Sequence, residues 1–186
     1  VTRLGGGVGL AAVAADAPMA ILTSDLMPSA HTLEDDARIR AERKKRKVSA
    51  ILHSGYPVRY WDHDLGPAEA HLLAIDLTGT GAESAVVAPP AKDEDAADAD
   101  PAPYPAHLPR PVDLTPQPGK TIDMAHAVVT PDGATVIVAE SVPDSRSYRA
   151  RLVRIEVADG TRTVIADEPG VDLGDPALSH DGTRLA

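Results

Sequence analysis

A six-residue stretch in the first half of the chain carries the side chains that metal binding and acid–base chemistry use. Carboxylate, imidazole and guanidinium groups occur there beside the single tryptophan, as Arg59-Tyr60-Trp61-Asp62-His63-Asp64, and His71 follows. Oxygen and nitrogen donors of this kind suit divalent metals. Their spacing matches no metal signature, however, and in a strand Asp62 and Asp64 would share one face while His63 pointed to the other.

We therefore assign no metal site to this stretch. One interpretation is structural, with Trp61 packed on a sheet while its polar neighbours cap a turn or pair with Arg59. The interpretation that we favour is a substrate-facing loop formed by Arg59, Trp61, Asp62 and His63, because long connections on a β scaffold commonly carry binding residues.

Nucleophilic and cofactor chemistry have no recognisable motif in the chain. It contains no cysteine, and no serine lies in the Gly-x-Ser-x-Gly turn that a hydrolase uses. The glycine cluster at residues 5–9 contains no serine and follows no strand, so it does not fit a dinucleotide-binding loop either. We assign no catalytic residue and no cofactor to these residues.

The charge balance restricts the partners. With 28 acidic and 18 basic residues the formal charge is −10, which argues against general affinity for nucleic acid or an anionic membrane. The basic run at residues 43–47 is interpreted as the solvated end of a helix, since acidic residues precede it as the helix dipole favours. The longest apolar run, residues 8–15, is far shorter than the roughly 20 residues of a membrane span. We expect a cytoplasmic protein.

The elements that position these residues are short strands joined by turns. Residues 127–130 and 134–139 are β-branched segments on either side of Pro131-Asp132-Gly133, which predicts a hairpin. Residues 149–157 and 161–166 follow, joined by a further Asp-Gly turn. Four antiparallel strands in series form one blade of a β-propeller.

The pattern occurs more than once. Residues 177–186 repeat residues 128–137 in type and order, and the two turns, Asp132-Gly133 and Asp181-Gly182, lie 49 residues apart, close to the roughly 40–50 residues of a propeller blade. An earlier, interrupted copy is expected from strands at 9–14, 19–23, 48–52 and 71–77, with a helix from Leu33 to about Arg46 between them. A Pro- and Asp-rich loop insertion spans 89–111, after which residues 112–116 return to a strand.

These patterns predict an all-β chain, a β-propeller fragment of four-stranded antiparallel blades with one short helical insertion. Residues 1–186 would hold about two to three blades, cut at both ends, because the last repeat stops partway through its strand. A seven-bladed propeller needs roughly 300 residues at this period. Open blade faces would then make the fragment prone to aggregate when it is expressed alone.

Five segments carry a resemblance to a known family: residues 46–53, Tyr60-Trp61-Asp62-His63-Asp64-Leu65-Gly66, residues 71–77, Asp113-Leu114-Thr115-Pro116 and the two Asp-Gly turns. They resemble the prolyl oligopeptidase family of serine peptidases, in particular its acylaminoacyl-peptidase and dipeptidyl-peptidase-like branch. The resemblance covers about residues 30–186, and it departs from the family pattern at His180, where a proline is usual.

The resemblance implies a propeller that gates the access of short peptides to an α/β-hydrolase domain in the same polypeptide. The catalytic Ser, Asp and His would all lie in that domain, beyond this chain, so residues 1–186 alone would not be catalytic. Two alternatives remain open. One is a TolB-like propeller that binds a protein partner, and the other is a propeller lactonase or phosphotriesterase with a cation in its central channel.

Overall fold

A computed structural model describes residues 2–53, 57–62, 64–78, 104–142 and 149–186. These residues are mostly β-structure, with one helix, α1, at Leu33–Lys45. The strands are β1 (Gly9–Val13), β2 (Met19–Leu26), β3 (Glu69–Asp76), β4 (Val112–Asp113), β5 (Ala127–Val129), β6 (Thr135–Ser141), β7 (Ala150–Glu156) and β8 (Arg162–Ala166).

The strands form two sheets of four. Sheet 1 has the order β1-β2-β3-β4 and sheet 2 the order β5-β6-β7-β8, and every neighbouring pair is antiparallel. Each sheet is therefore a meander in which consecutive strands pair, as the alternating patterns and turns predict. The predicted hairpin around Asp132-Gly133 and the two strands after it are confirmed in sheet 2.

The helix begins and ends where the sequence predicts. Thr32 is its N-cap, and its Oγ1 accepts a hydrogen bond from the Asp35 backbone amide at 3.0 Å. Acidic residues fill the first turn, and the basic run occupies the last turn and the C-cap, where each sign of charge favours the helix dipole. The interpretation of residues 43–47 as a helix end is confirmed.

One predicted strand is wrong. Residues 48–53 contain no strand, and Leu52 is 94% exposed. The third strand of sheet 1 is β3, which pairs with β2 along its whole length. A short apolar run does not form a strand without an edge to pair with, and β3 already occupies the edge of β2.

The return to a strand after the insertion is confirmed, although β4 is only two residues long. Asp113 and Thr115 strengthen this short pairing. Asp113 Oδ2 lies 2.9 Å from His71 Nδ1, and the Leu72 backbone amide donates to Thr115 Oγ1 at 2.9 Å. The predicted insertion 89–111 falls in the β3–β4 connection, and its residues 89–103 lie outside the described residues.

The core lies between the two sheets. Burying these side chains supplies the main favourable term that holds sheet 1 and sheet 2 together. The buried cluster consists of Ile21, Leu72, Ala74, Leu114, Ile122, Val136, Val138, Val153 and Ile155. On the opposite face of sheet 1, Leu4, Leu33 and Leu77 pack on a second cluster. On the opposite face of sheet 2, Leu173 and Leu178 contact a third.

The first turn of sheet 1, the first turn of sheet 2 and the hairpin at 177–186 share one geometry. In each, the backbone amide of the first turn residue donates a hydrogen bond of 2.9 Å to the carbonyl oxygen five residues later. The three bonds run from the Ala14 amide to Met19 O, from the Thr130 amide to Thr135 O, and from the Ser179 amide to Arg184 O. The last two turns also share their side-chain hydrogen bonds. Asp132 Oδ1 accepts from the Thr130 hydroxyl and the Ala134 amide, and Asp181 Oδ1 accepts from the Ser179 hydroxyl and the Thr183 amide.

These turns also contact one another in order along the chain. The Asp16 amide donates to Pro131 O at 2.7 Å. A Cβ added to Gly133 would lie 2.9 Å from Met19 Cβ, and one added to Gly182 would lie 2.7 Å from Pro131 Cδ. Both glycines also have positive φ angles, +74° and +68°. Glycine is therefore required at both positions for two reasons: the turn needs a positive φ angle, and the close contact with the preceding turn leaves no room for a Cβ.

Candidate functional site

The predicted substrate-facing stretch forms a tight loop at residues 58–65, within the long β2–β3 connection. Arg59 and Asp64 face each other as an antiparallel bridge, and the Leu65 amide donates to Val58 O at 3.0 Å. Leu65 is buried, which anchors one side of the loop base. Arg59 Nε lies 3.5 Å from Asp64 Oδ1, but both groups are exposed, so their ion pair contributes little stability.

Trp61 lies at the tip of this loop, and 94% of its surface is exposed. The interpretation in which Trp61 packs on a sheet is therefore wrong. The residue sits between the two paired positions, Arg59 and Asp64, and its side chain is exposed to solvent. A fully exposed tryptophan is unusual, because this side chain carries one of the largest apolar surfaces and favours contact with a partner.

The remaining predicted residues are distributed differently. Asp62 is exposed on the same loop as Arg59 and Trp61, whereas His63 lies outside the described residues. His71 is not part of the loop surface: it is buried on β3, where its Nδ1 pairs with Asp113. Within the described ranges, no group of three or more His, Asp or Glu side chains is arranged to hold a metal.

The β4–β5 connection contacts the segment that follows the loop. Lys120 Nζ donates to Ala68 O at 3.2 Å and lies 3.6 Å from Asp123 Oδ2. Burial raises the pKa of the Asp123 carboxyl, against the opposing effects of Lys120 and of the hydrogen bond from the Ala70 amide. Burial, and next the Asp123 charge, raise the pKa of the Tyr60 phenol. The contact of Lys120 with Ala68 O therefore joins two different connections, β4–β5 and β2–β3.

Met124 follows Asp123 and has two unusual properties. It is 81% exposed, and its φ is +59°, in the left-handed region that non-glycine residues seldom adopt. The turn that holds it is closed by a hydrogen bond from the Ala125 amide to Ile122 O at 3.0 Å, and Ile122 is buried. The chain therefore maintains a strained turn that presents an apolar side chain to solvent.

Lys120, Asp123 and Met124 are the site residues that sequence reasoning missed. They lie about 60 residues after the loop, in a short polar segment with no motif. Only tertiary packing brings this segment against Ala68. The one local signal is the Pro118-Gly119 pair, which predicts a turn but says nothing about its neighbours.

Comparison with known proteins gives no relative: no protein-family model, no curated protein and no solved structure matches the chain. Separately, no helix in the described residues is both long and apolar enough to cross a membrane.

Proposed function

We propose that the chain is a run of successive blades from a β-propeller that gates the access of peptide segments to a catalytic domain of the same polypeptide. The observation that carries the propeller is the ordered contact between equivalent turns. Asp16 contacts Pro131, and Pro131 contacts Gly182, so each turn is related to the next as blades are in a propeller. The hairpin at 177–186 then takes the place of a third blade's first two strands.

The gating role rests on the resemblance to prolyl oligopeptidases and is supported by the loop at 58–65. The long β2–β3 connection carries the polar and aromatic side chains of this loop, whereas the strands supply a rigid frame. In this proposal Arg59, Trp61 and Asp62 contact a peptide on its way to the active site, and the hydrolase domain supplies Ser, Asp and His.

A fluorophosphonate probe, which modifies activated serines, tests the peptidase assignment. We expect it to label the intact polypeptide that contains residues 1–186 at a serine outside those residues, and to leave a polypeptide of residues 1–186 unlabelled. Labelling of a serine within 1–186 would contradict the proposal that the catalytic serine lies outside these residues. Absence of any labelled serine in active, folded protein would exclude the serine peptidase.

A TolB-like propeller that binds a protein partner is the second candidate, and the exposure of Trp61 favours it. Exposed tryptophans are enriched among the residues that dominate protein–protein contacts. This candidate needs no hydrolase domain. It predicts that the intact polypeptide binds a partner through the loop at 58–65, forms no fluorophosphonate adduct and releases no product from peptide substrates.

A further inference from the structure

We propose that the C-terminal end of α1 and the segment after it form a docking surface for an extended acidic peptide segment that carries aliphatic side chains. The surface combines exposed lysines with exposed aliphatic residues, and we call it the basic–apolar surface: Lys44, Lys45, Lys47, Val48, Ile51 and Leu52. The ligand belongs to a partner protein and supplies the strand edge that residues 48–52 lack. This interaction is separate from the gating role proposed above.

A Schellman turn joins α1 to this segment. The Lys47 amide donates to Lys44 O at 3.0 Å, and the Val48 amide donates to Arg43 O at 2.9 Å. Arg43 Nη2 also donates to Ala50 O at 2.8 Å, which holds the residues after the turn beside the end of the helix. The lysines and the aliphatic residues therefore belong to one continuous, hydrogen-bonded part of the surface.

The turn contains a residue that costs stability. Lys47 has a φ of +50°, at the position after a helix where glycine is the usual residue because it has no Cβ to strain. The helix dipole already has four cations at this end, residues 43–46, so a fifth adds like-charge repulsion. The chain carries a cation at this position although glycine would stabilise the turn, and such a loss of stability is typical of a binding residue.

The charges favour an acidic ligand. Of the five consecutive cations at 43–47, only Arg46 has a carboxylate within ion-pair distance among the described residues, Glu42 at 3.1 Å. Residues 42–52 therefore carry five positive charges against one negative charge, in a chain whose formal charge is −10. A local positive surface attracts an acidic segment, whereas the negative charge of the whole chain disfavours nucleic acid and an anionic membrane.

The segment after the turn has the composition of a strand but no strand partner. Residues 48–52, Val-Ser-Ala-Ile-Leu, are rich in aliphatic side chains that favour strands. They pair with no strand of the described chain, and Leu52 is 94% exposed. An unpaired segment of this kind is what an incoming peptide uses when it adds a strand. Acidic side chains of that peptide would pair with the lysines, while its aliphatic side chains cover Ile51 and Leu52.

The test measures binding of a fluorescein-labelled, capped peptide of sequence Gly-Glu-Val-Glu-Val-Glu-Leu by fluorescence anisotropy, using the intact polypeptide that contains residues 1–186. We expect saturable binding that weakens as the salt concentration rises. Leu52→Ala should weaken binding about tenfold, because it removes an apolar side chain that the peptide buries. Lys47→Gly should weaken binding about threefold through the lost charge. The same variant should melt at a higher temperature than the wild type, because glycine adopts a positive φ without strain.

Two control variants remove the same kinds of group elsewhere. Leu10→Ala removes an aliphatic side chain that is 67% exposed on β1, and Arg184→Gln removes an exposed positive charge from the hairpin at 177–186. Both should leave the affinity within about twofold of the wild type, since salt screens distant charges. A peptide with Lys in place of Glu should bind at least about tenfold more weakly. Bound peptide should slow amide hydrogen exchange at residues 48–52, because strand pairing protects backbone amides.

Several outcomes would overturn the inference. These are wild-type affinity in both Leu52→Ala and Lys47→Gly, an equal loss in the two control variants, equal binding of the Lys peptide, or bound peptide that leaves hydrogen exchange at residues 48–52 unchanged. Binding to phosphatidylserine vesicles that depends on Leu52 and Lys47, without binding of the peptide, would assign the surface to a membrane and would also overturn it.

Discussion

Sheet 1 and sheet 2 have the same strand order, and their first turns are closed by the same hydrogen bond. They differ in the connections between their strands and in their buried polar side chains. In sheet 2 the strand connections are short, whereas sheet 1 contains α1, the loop at 58–65 and the insertion at 89–111 between its strands. The register makes Ser24 and His71 in sheet 1 equivalent to Glu140 and Arg151 in sheet 2.

These equivalent positions carry all the buried polar side-chain atoms that lack a hydrogen bond in the described residues, His71 Nε2, Glu140 Oε2 and Arg151 Nε. In sheet 1 the two positions are occupied by Ser24, which carries a hydroxyl, and by His71, whose imidazole pairs with Asp113. Sheet 2 has a buried carboxylate there, between two arginines, Arg151 at 3.5 Å and Arg162 at 2.9 Å. The strand frame is thus repeated, while the polar contents and the connections are specific to each sheet.

The largest effect should come from the core that the two sheets share. We expect Ile155→Ala to lower the free energy of unfolding by about 4 kcal/mol, since Ile155 is fully buried between the sheets and leaves a cavity. Ile165→Ala, on the exposed side of β8, should cost less than about 0.5 kcal/mol. Denaturant unfolding measures both, and equal costs would contradict a core between the sheets.

The equivalent polar positions should differ in cost. Glu140→Ala leaves Arg162 without this carboxylate and Arg151 with only Asp167, at 3.9 Å, and should destabilise by about 3 kcal/mol. Ser24→Ala removes one hydrogen bond, from Ser24 Oγ to Gly7 O, and should cost about 1 kcal/mol. If denaturant unfolding gave the two variants the same loss, the distinction between the sheets at this position would be refuted.

The contact between turns can be separated from the turn conformation. Gly133→Ala introduces both a positive-φ alanine and a Cβ against Met19, and we expect a cost of about 2 kcal/mol. Gly160→Ala is the control, because Gly160 has nearly the same φ, +71°, and nothing within 4 Å of an added Cβ. It should cost about 1 kcal/mol. Equal melting temperatures for the two variants would show that the added Cβ of residue 133 does not clash with the preceding turn.

The smallest effect is electrostatic. Hydrogen bonds from Ser179 and Thr183 lower the pKa of Asp181 to about 2, and hydrogen bonds from Thr130 and Ala134 lower that of Asp132. Because the folded-state pKa lies below the unfolded value, the stabilisation from Asp181 is present above about pH 4 and is lost as the pH falls toward 2. Carboxyl NMR titration checks this, and a midpoint of Asp181 near 3.8 would mean that the turn is not formed.

The sequence predicts the strands, the helix and the turns well because their signals are local. Alternating residues specify a strand, Asp-Gly specifies a turn, and Thr32 with acidic residues after it specifies a helix start. Residues 48–52 show the limit of such signals, since their apolar pattern does not reveal whether a strand edge is available. The contact of Lys120 with Ala68 and the exposure of Trp61 follow from tertiary packing, which no local pattern encodes.

An experimental structure of the intact polypeptide that contains residues 1–186 tests the central claim most directly. We predict that sheet 1, sheet 2 and the hairpin at 177–186 succeed one another about a common axis, with Pro131 against Gly182 and the hairpin extended into a third four-stranded antiparallel sheet. A structure in which that hairpin pairs with the edge of sheet 1 or sheet 2, or in which the two sheets face each other as a closed sandwich without further blades, would contradict the account.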